Sequence, residues 1–295
     1  GELASKVLTL SAFGRVSQDD FRKLLLHLIE TDHINRTEGG GLIVGISGER
    51  VVNSYKFYAV FMENVEYSVR SESQELGTIV KPPAIGGKVA IAGRVWVVEE
   101  VDHKKRAIYV SLIKGNIPAY FGDVPGDIHT HVLEKMKEIL CTNATYIYLM
   151  NNAKVRLAQA RACFDMAKLK DRVLIHLGGN MWALFPWLGS YAFLALERFL
   201  KIHCAKEIGL KGLSPVRPYF IQFSMNVSEK EFYKIVCKKA CEDIDPLSLV
   251  YEKEVPVFEK YDEFVTDELV KKGFAYGVLD IDGMKKRVRE WEKFL

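Results

Sequence analysis

Lys104, Lys105 and Arg106 follow Asp102 and His103 where two β-rich runs, 95–101 and 107–112, turn back on each other. Three adjacent cations on a hairpin tip suit contact with phosphate oxygens, and each such contact releases counterions and makes binding salt-dependent. Arg36 beside Gly39-Gly40-Gly41, Arg94 after Gly93, and Arg156 and Arg161 in a helical stretch are candidates for the same chemistry. Trp187 is a candidate for stacking on a splayed base, although a tryptophan more often serves the core.

Other chemistry fails on spacing. A phosphate-binding loop needs Gly-x-x-x-x-Gly-Lys-Ser/Thr, but around Gly87-Lys88 the leading glycine is Pro82 and the hydroxyl is Val89. The acidic pair Asp267-Glu268 lies in a helix-like acidic stretch, with no strand leading into it. Neither a Gly-x-Ser-x-Gly elbow nor a His-Glu-x-x-His pair is present. His129 and His131 have no third ligand in view. Cys237 and Cys241 sit one helical turn apart with no matching CxxC or histidine set, so the five cysteines read as structural thiols. The residues point to recognition, with no catalytic group, metal or cofactor expected in this chain.

The elements that must hold these residues are those of a chain of 295 residues, 48% apolar and 27% charged, which is ordinary globular composition. The net charge of +3 is unevenly spread: residues 241–270 hold ten acids against two bases, leaving +11 for the rest. Such asymmetry suits a basic surface that meets a polyanion, or simply solvated faces. No apolar run approaches the roughly 18 to 20 residues of a membrane helix, and residues 3–10 lack the flanks of a signal peptide. A soluble, cytoplasmic protein with no membrane partner is expected.

Ser17-Gln18-Asp19-Asp20 has the form of a capping box before Phe21, Leu24, Leu25, Leu28 and Ile29, which recur at helical spacing. Residues 34–44 then read as a hairpin around three glycines. Runs at 57–61, 66–70 and 75–80, with three more over 86–112, predict about six strands. Helices are expected over 128–140 and 153–168, a hairpin over 172–185, and a nearly all-apolar, buried helix over 191–203. A strand over 219–225, a Ser228-capped helix to Cys241 and a basic helix over 284–294 follow.

The expected fold is α+β. It places the C-terminal part of a winged-helix domain at 1–52 and a small antiparallel β-barrel or sheet unit at 53–122. A helix-and-hairpin region at 123–210 and an α/β C-terminal region with the acidic segment at 211–295 complete it.

A set of segments in order resembles the C-terminal half of the Lhr-type (large helicase-related) branch of superfamily-2 DNA helicases. These are Asp20-Phe21 through Leu42-Ile43-Val44, Gly48-Glu49-Arg50, Phe57-Tyr58-Ala59-Val60-Phe61, Leu76-Gly77, and Ile91 through Val98. Asp102, Ile108-Tyr109-Val110, Phe185-Pro186-Trp187-Leu188-Gly189, Lys260-Tyr261-Asp262 and Asp267 through Val270 continue it. The resemblance implies an accessory region of an ATP-dependent helicase or translocase, with ATP and Mg held by RecA-like motor domains of the same parent chain. Its nucleic-acid partner would be single-stranded or partly duplex DNA, or an RNA hybrid. Two alternatives stand beside it: a DNA-base-processing enzyme related to winged-helix glycosylases, and a structural or protein-docking region using its acidic segment.

Overall fold

The computed structural model describes residues 2–59, 66–72, 74–80, 86, 88–102, 105–113, 127–252, 254–256 and 259–295. The chain forms two compact units, Gly1–Asn53 with Asp127–Leu295, and Ser54–Gly126. No helix among the described residues is long and apolar enough to cross a membrane.

The first unit opens with α1 (Glu2–Leu8), in a stretch without clear sequence periodicity. Helix α2 (Gln18–Glu30) starts at the capping signal. Ser17 Oγ accepts from the Asp20 N–H at 3.0 Å, which satisfies one of the otherwise open donors of the first turn. Strands β1 (Ile34–Arg36) and β2 (Leu42–Val44) pair antiparallel around the glycine-rich tip, and α3 (Ile46–Val52) follows. No side chain of α2 is fully buried. Its apolar Phe21 and Leu24 instead line a cleft of about 570 Å³ with Val16, Val265 and Leu269. Lys23 to Glu268 (2.8 Å), Lys272 to Asp20 (2.7 Å) and Arg15 to the Tyr276 carbonyl (2.9 Å) tie the two ends of the chain together. Residues 2–53 are therefore packed into a larger unit.

The second unit begins with one helical turn, α4 (Tyr55–Tyr58). The residue types predict a strand from Phe57, but Ser54 Oγ accepts from the Lys56 N–H at 3.3 Å and starts a turn of helix there. Val60 and Phe61, the end of that expected strand, lie outside the described residues. Then come β3 (Tyr67–Ser71), β4 (Gln74–Ile79), β5 (Lys88–Ile91), β6 (Arg94–Asp102) and β7 (Ala107–Ile113), in the sheet order β4-β3-β7-β6-β5. The sheet is mixed and not purely antiparallel, because β3 and β7 run parallel with Val69 opposite Ile108. Parallel neighbours need a long connection, and residues 72–106 supply it through β4, β5 and β6. Val69, Val89, Val98 and Ile108 are at most 1% exposed inside the curve of the sheet. Trp96 is also buried, and its indole N–H donates to the Ile91 carbonyl at 3.0 Å. The edge strands come close enough that a Cβ on Gly77 of β4 would lie 3.0 Å from Ile91 Cδ1 of β5. The sheet is a curled half-barrel.

The first unit resumes with α5 (Thr130–Cys141), α6 (Asn151–Met166), β8 (Leu174–Gly178), β9 (Met181–Leu184) and α7 (Ser190–Phe199). A π turn, Leu200–Cys204, widens α7 before α8 (Ala205–Ile208). Strands β10 (Lys211–Val216) and β11 (Phe220–Ser224), then α9 (Glu229–Ala240), α10 (Asp267–Gly277) and α11 (Ile281–Arg289), complete it. The sheet order is β10-β11-β9-β8, so one sheet crosses the boundary expected at residue 210. Ile221 and Phe223 alternate inward along β11 with Phe220, Gln222 and Ser224 half-exposed, the period-two pattern of a sheet with one core face. That face packs on α7, whose Phe193, Leu196 and Phe199 are fully buried, and on Phe232 and Val236 of α9. Each large apolar side chain so buried contributes about 1.5–3 kcal/mol.

Two consecutive charges are buried on α7. Glu197 receives both Arg217 Nε and Nη2, at 2.7 and 2.9 Å. Arg198 makes a two-pronged bond to Glu254 (2.7 and 2.6 Å), donates to the Leu249 carbonyl (3.0 Å), and lies between the Tyr251 and Phe274 rings. The acidic stretch is thus pinned to the central helix through Glu254.

The starts of α5 and α7 interlock. Ser190 N–H donates to the Ile128 carbonyl (2.8 Å), Ile128 N–H to Ser190 Oγ (2.9 Å), and Gly189 N–H to Thr130 Oγ1 (3.0 Å). A Cβ on Gly189 would sit 2.3 Å from the Ile128 oxygen. Only glycine lets the two backbones meet there.

Candidate nucleic-acid interface

The expected phosphate-contacting residues divide by what holds them. Arg36 ends β1, opposite Leu42, and is exposed. Arg94 begins β6, opposite Ile91, and is exposed. Arg156 is exposed on α6. No hydrogen bond or ion pair holds these three guanidinium groups among the described residues. Lys105 and Arg106 form the exposed part of the β6–β7 turn, while Lys104 lies outside the described residues. The turn is rigid. Asp102 Oδ1 accepts from the Lys105 N–H at 2.9 Å, Lys105 Nζ lies 3.5 Å from Asp102 Oδ2, and the Arg106 carbonyl accepts from the Ser68 N–H at 2.9 Å.

Arg161 is not a free cation. Its Nε donates to the Ile139 carbonyl (3.1 Å) and its Nη2 to the Ala144 carbonyl (3.0 Å), so it satisfies the last turn of α5 and fastens the loop that follows. Trp187 is likewise corrected: it is 5% exposed, against Phe164 at 6.0 Å and under Lys137 Nζ at 5.8 Å. A ring so enclosed has no face for a base.

Arg94 and the Lys105-Arg106 turn mark opposite ends of β6, about 26 Å apart at strand rise. Arg156 and Arg161 are five residues apart, about 140° around the helix. Arg36, Arg94, Lys105, Arg106 and Arg156 are each exposed, at a strand end, in a turn or on a helix face, where a phosphate oxygen can reach them.

One surface has no counterpart among the residues singled out by type and spacing. Residues 142–150, between α5 and α6, bring Tyr146 and Tyr148 side by side with ring centroids 5.6 Å apart. Tyr148 is 76% exposed and Ile147 99%. Both phenols lie within electrostatic reach of Lys135 on α5, whose pKa is raised chiefly by its bond to Glu138 at 2.6 Å. The available signal is the Tyr-Ile-Tyr alternation inside residues 139–164, which contain three cations and no acid before Asp165. Helical periodicity gives no weight to such a loop.

The remaining polar groups are structural. His129 Nδ1 accepts from the His131 N–H at 3.2 Å and caps α5. Burial pushes the Cys204 thiol to about 12 and the Cys237 thiol to about 11, far from the thiolate a nucleophile or metal ligand requires. Tyr191 donates to Asp127 Oδ2 at 2.6 Å, and that bond, helped by burial, raises its pKa to about 12. Among the described residues no group of three or more His, Cys, Asp or Glu is placed to hold a metal ion. No protein-family model, curated protein or solved structure matches the chain.

Proposed function

We propose that this chain is a nucleic-acid-binding accessory region of an ATP-dependent DNA helicase or translocase, guiding a single strand by electrostatics. The observation that carries the reading is the division among the cations. Lys23, Arg198, Arg217, Lys239, Lys272 and Arg287 all spend their charge on carboxylates of the chain itself. Arg36, Arg94 and Arg156 face solvent with no such partner among the described residues. Unneutralised cations on rigid strand ends and helix faces are what a phosphate backbone needs. The ordered resemblance supplies the rest of the reading: a winged-helix ending over 1–52, motor domains elsewhere in the parent chain that hold ATP and Mg, and a cytoplasmic setting.

The test is a titration of labelled single-stranded DNA at two salt concentrations. Reversing both exposed tip cations, Lys105→Glu and Arg106→Glu, is expected to weaken binding about tenfold and to lower the salt slope by about two, one for each phosphate no longer neutralised. Absence of binding at low salt by the unaltered chain overturns the reading.

A base-processing enzyme has one observation in its favour. A polar cavity of about 430 Å³ is lined by Asp243, Asp280 and Asp282 beside Tyr276 and Lys285. All three carboxylates are exposed, and Asp280 Oδ1 is occupied in capping α11 through the Gly283 N–H at 2.8 Å. Catalytic carboxyls are ordinarily desolvated, so the geometry favours binding. Release of a base from damaged duplex by this chain reverses that preference.

A further inference from the structure

We infer that Tyr146 and Tyr148 form a base-stacking platform for a single-stranded nucleic acid, flanked by Lys135 and Lys154. The inference rests on the nucleic-acid reading above and gives it a place on the surface. Four observations carry it.

First, the rings are paired and presented. They lie 5.6 Å apart at 39°, and Tyr148 is 76% exposed, so an outer ring face is open to a base. Stacking on such a face tolerates any base, because every base has a π-face.

Second, the loop is held in place. Arg161 reaches from α6 to both the Ile139 and Ala144 carbonyls, and the Leu149 N–H closes a turn onto the Tyr146 carbonyl at 3.2 Å. A platform fixed beforehand loses little freedom when a strand arrives. Arg161, expected to touch phosphate, acts here as a positioning residue.

Third, cations outnumber acids beside the loop, with Glu138, bonded to Lys135, just outside the acid-free stretch. Residues 139–164 contain Lys154, Arg156 and Arg161 and no carboxylate. Lys154 is seven residues before Arg161, about 20° away around the helix, and so shares the loop-facing side. Lys154 is exposed. Among the described residues Lys135 is held by Glu138, in an exposed pair worth little to the fold.

Fourth, the exposed apolar side chains beside the rings, Ile147 and Met150 at 99% and 78%, suit the flat faces of bases and sugars. A docking protein would also be drawn to such apolar groups. The excess of cations, Lys135, Lys154, Arg156 and Arg161 against Glu138, favours a polyanion as the occupant.

The experiment uses the full chain and two probes of equal length, oligo-dT and the same backbone with abasic sites. Tyr148→Ala is expected to weaken oligo-dT binding about tenfold with an unchanged salt slope. Abasic binding should stay within about twofold, and Tyr148→Phe should restore the affinity. Lys154→Glu should weaken both probes. The melting temperature of each variant is the control for folding, since Tyr148 packs on little of the core. If oligo-dT binds the unaltered chain and Tyr148→Ala binds it equally, the platform is wrong and the nucleic-acid reading survives. If Tyr148→Ala weakens both probes alike, the ring is not stacking and the platform is again overturned. If the unaltered chain binds neither probe at low salt, both the reading and the platform fall.

Discussion

Gly189→Ala is expected to destabilise the first unit by about 3 kcal/mol or more. The added Cβ would stand 2.3 Å from the Ile128 oxygen, 2.5 Å from the Thr130 nitrogen and 2.8 Å from the His129 carbonyl carbon. All three are backbone atoms at the start of α5, so no side chain can swing aside. Relief requires the two segments to part, which breaks the Ser190–Ile128 and Gly189–Thr130 hydrogen bonds together. Trp187 and Leu188 are buried immediately before the glycine, so a displaced backbone would also open that core. Urea denaturation followed by tryptophan fluorescence reads the effect directly. Ser190→Ala, which removes only one acceptor and adds no atom, should cost about 1 kcal/mol. Equal midpoints for Gly189→Ala and the unaltered chain would show that the backbone there relaxes freely.

Arg198→Met is the second large effect, about 3 kcal/mol. The substitution keeps an unbranched chain between the Tyr251 and Phe274 rings but leaves Glu254 and the Leu249 carbonyl without their donor. The cost is that of a partly buried carboxylate left with only the Tyr251 N–H and the more distant Lys271, more than the worth of the pair itself. The acid dependence carries a sign. The hydrogen bond from Arg198, together with its charge, holds Glu254 below the ordinary glutamate value of 4.5. The pair's stabilisation is therefore fully present above that value and is lost as pH falls through the lowered one. Unaltered protein should lose stability over that window, and Arg198→Met should lose less of it. Limited proteolysis is a second readout: residues 245–254, freed from α7, should be cut earlier in the variant. Parallel acid limbs in the two proteins would remove Glu254 from this account.

Local chemistry was legible wherever a hydrogen bond reaches only a few residues. Ser17 and Ser228 cap α2 and α9 as their spacing predicts, each accepting from a backbone N–H three residues on. The long β6–β7 hairpin and the buried α7 also follow from composition and period. Interactions that depend on distant residues were not legible. The Phe57 run has strand-forming residues, yet the Ser54 hydroxyl starts a helical turn that takes in Phe57 and Tyr58. The parallel β3–β7 pair, Val69 opposite Ile108, has no signature in either strand alone. At the candidate interface, Arg36, Arg94, Lys105, Arg106 and Arg156 all lie exposed, Lys105 with the Asp102 carboxylate 3.5 Å away. Arg161, expected to meet phosphate, is instead bound to carbonyls of the chain, and Trp187 takes the core place that a tryptophan more often has. The carbonyls that take the Arg161 donors lie 22 and 17 residues away, and the walls around Trp187 come from other elements.

The first unit is discontinuous, and that sets an order of assembly. Lys23 meets Glu268, Asp20 meets Lys272 and Arg15 meets Tyr276 across 245, 252 and 261 residues of chain. At a synthesis rate of roughly 5–20 residues per second, α2 waits about 12 to 50 seconds for its ion-pair partners to be made. Residues 54–126 form a continuous stretch in which the described strands pair only with one another, so the half-barrel can be complete before α7 exists. During that interval the apolar side of α2, with Phe21, Leu24 and Leu25, is uncovered in the nascent chain. A pulse-labelled chain stopped before residue 265 should bind chaperone through residues 18–30 and let go once α10 is released.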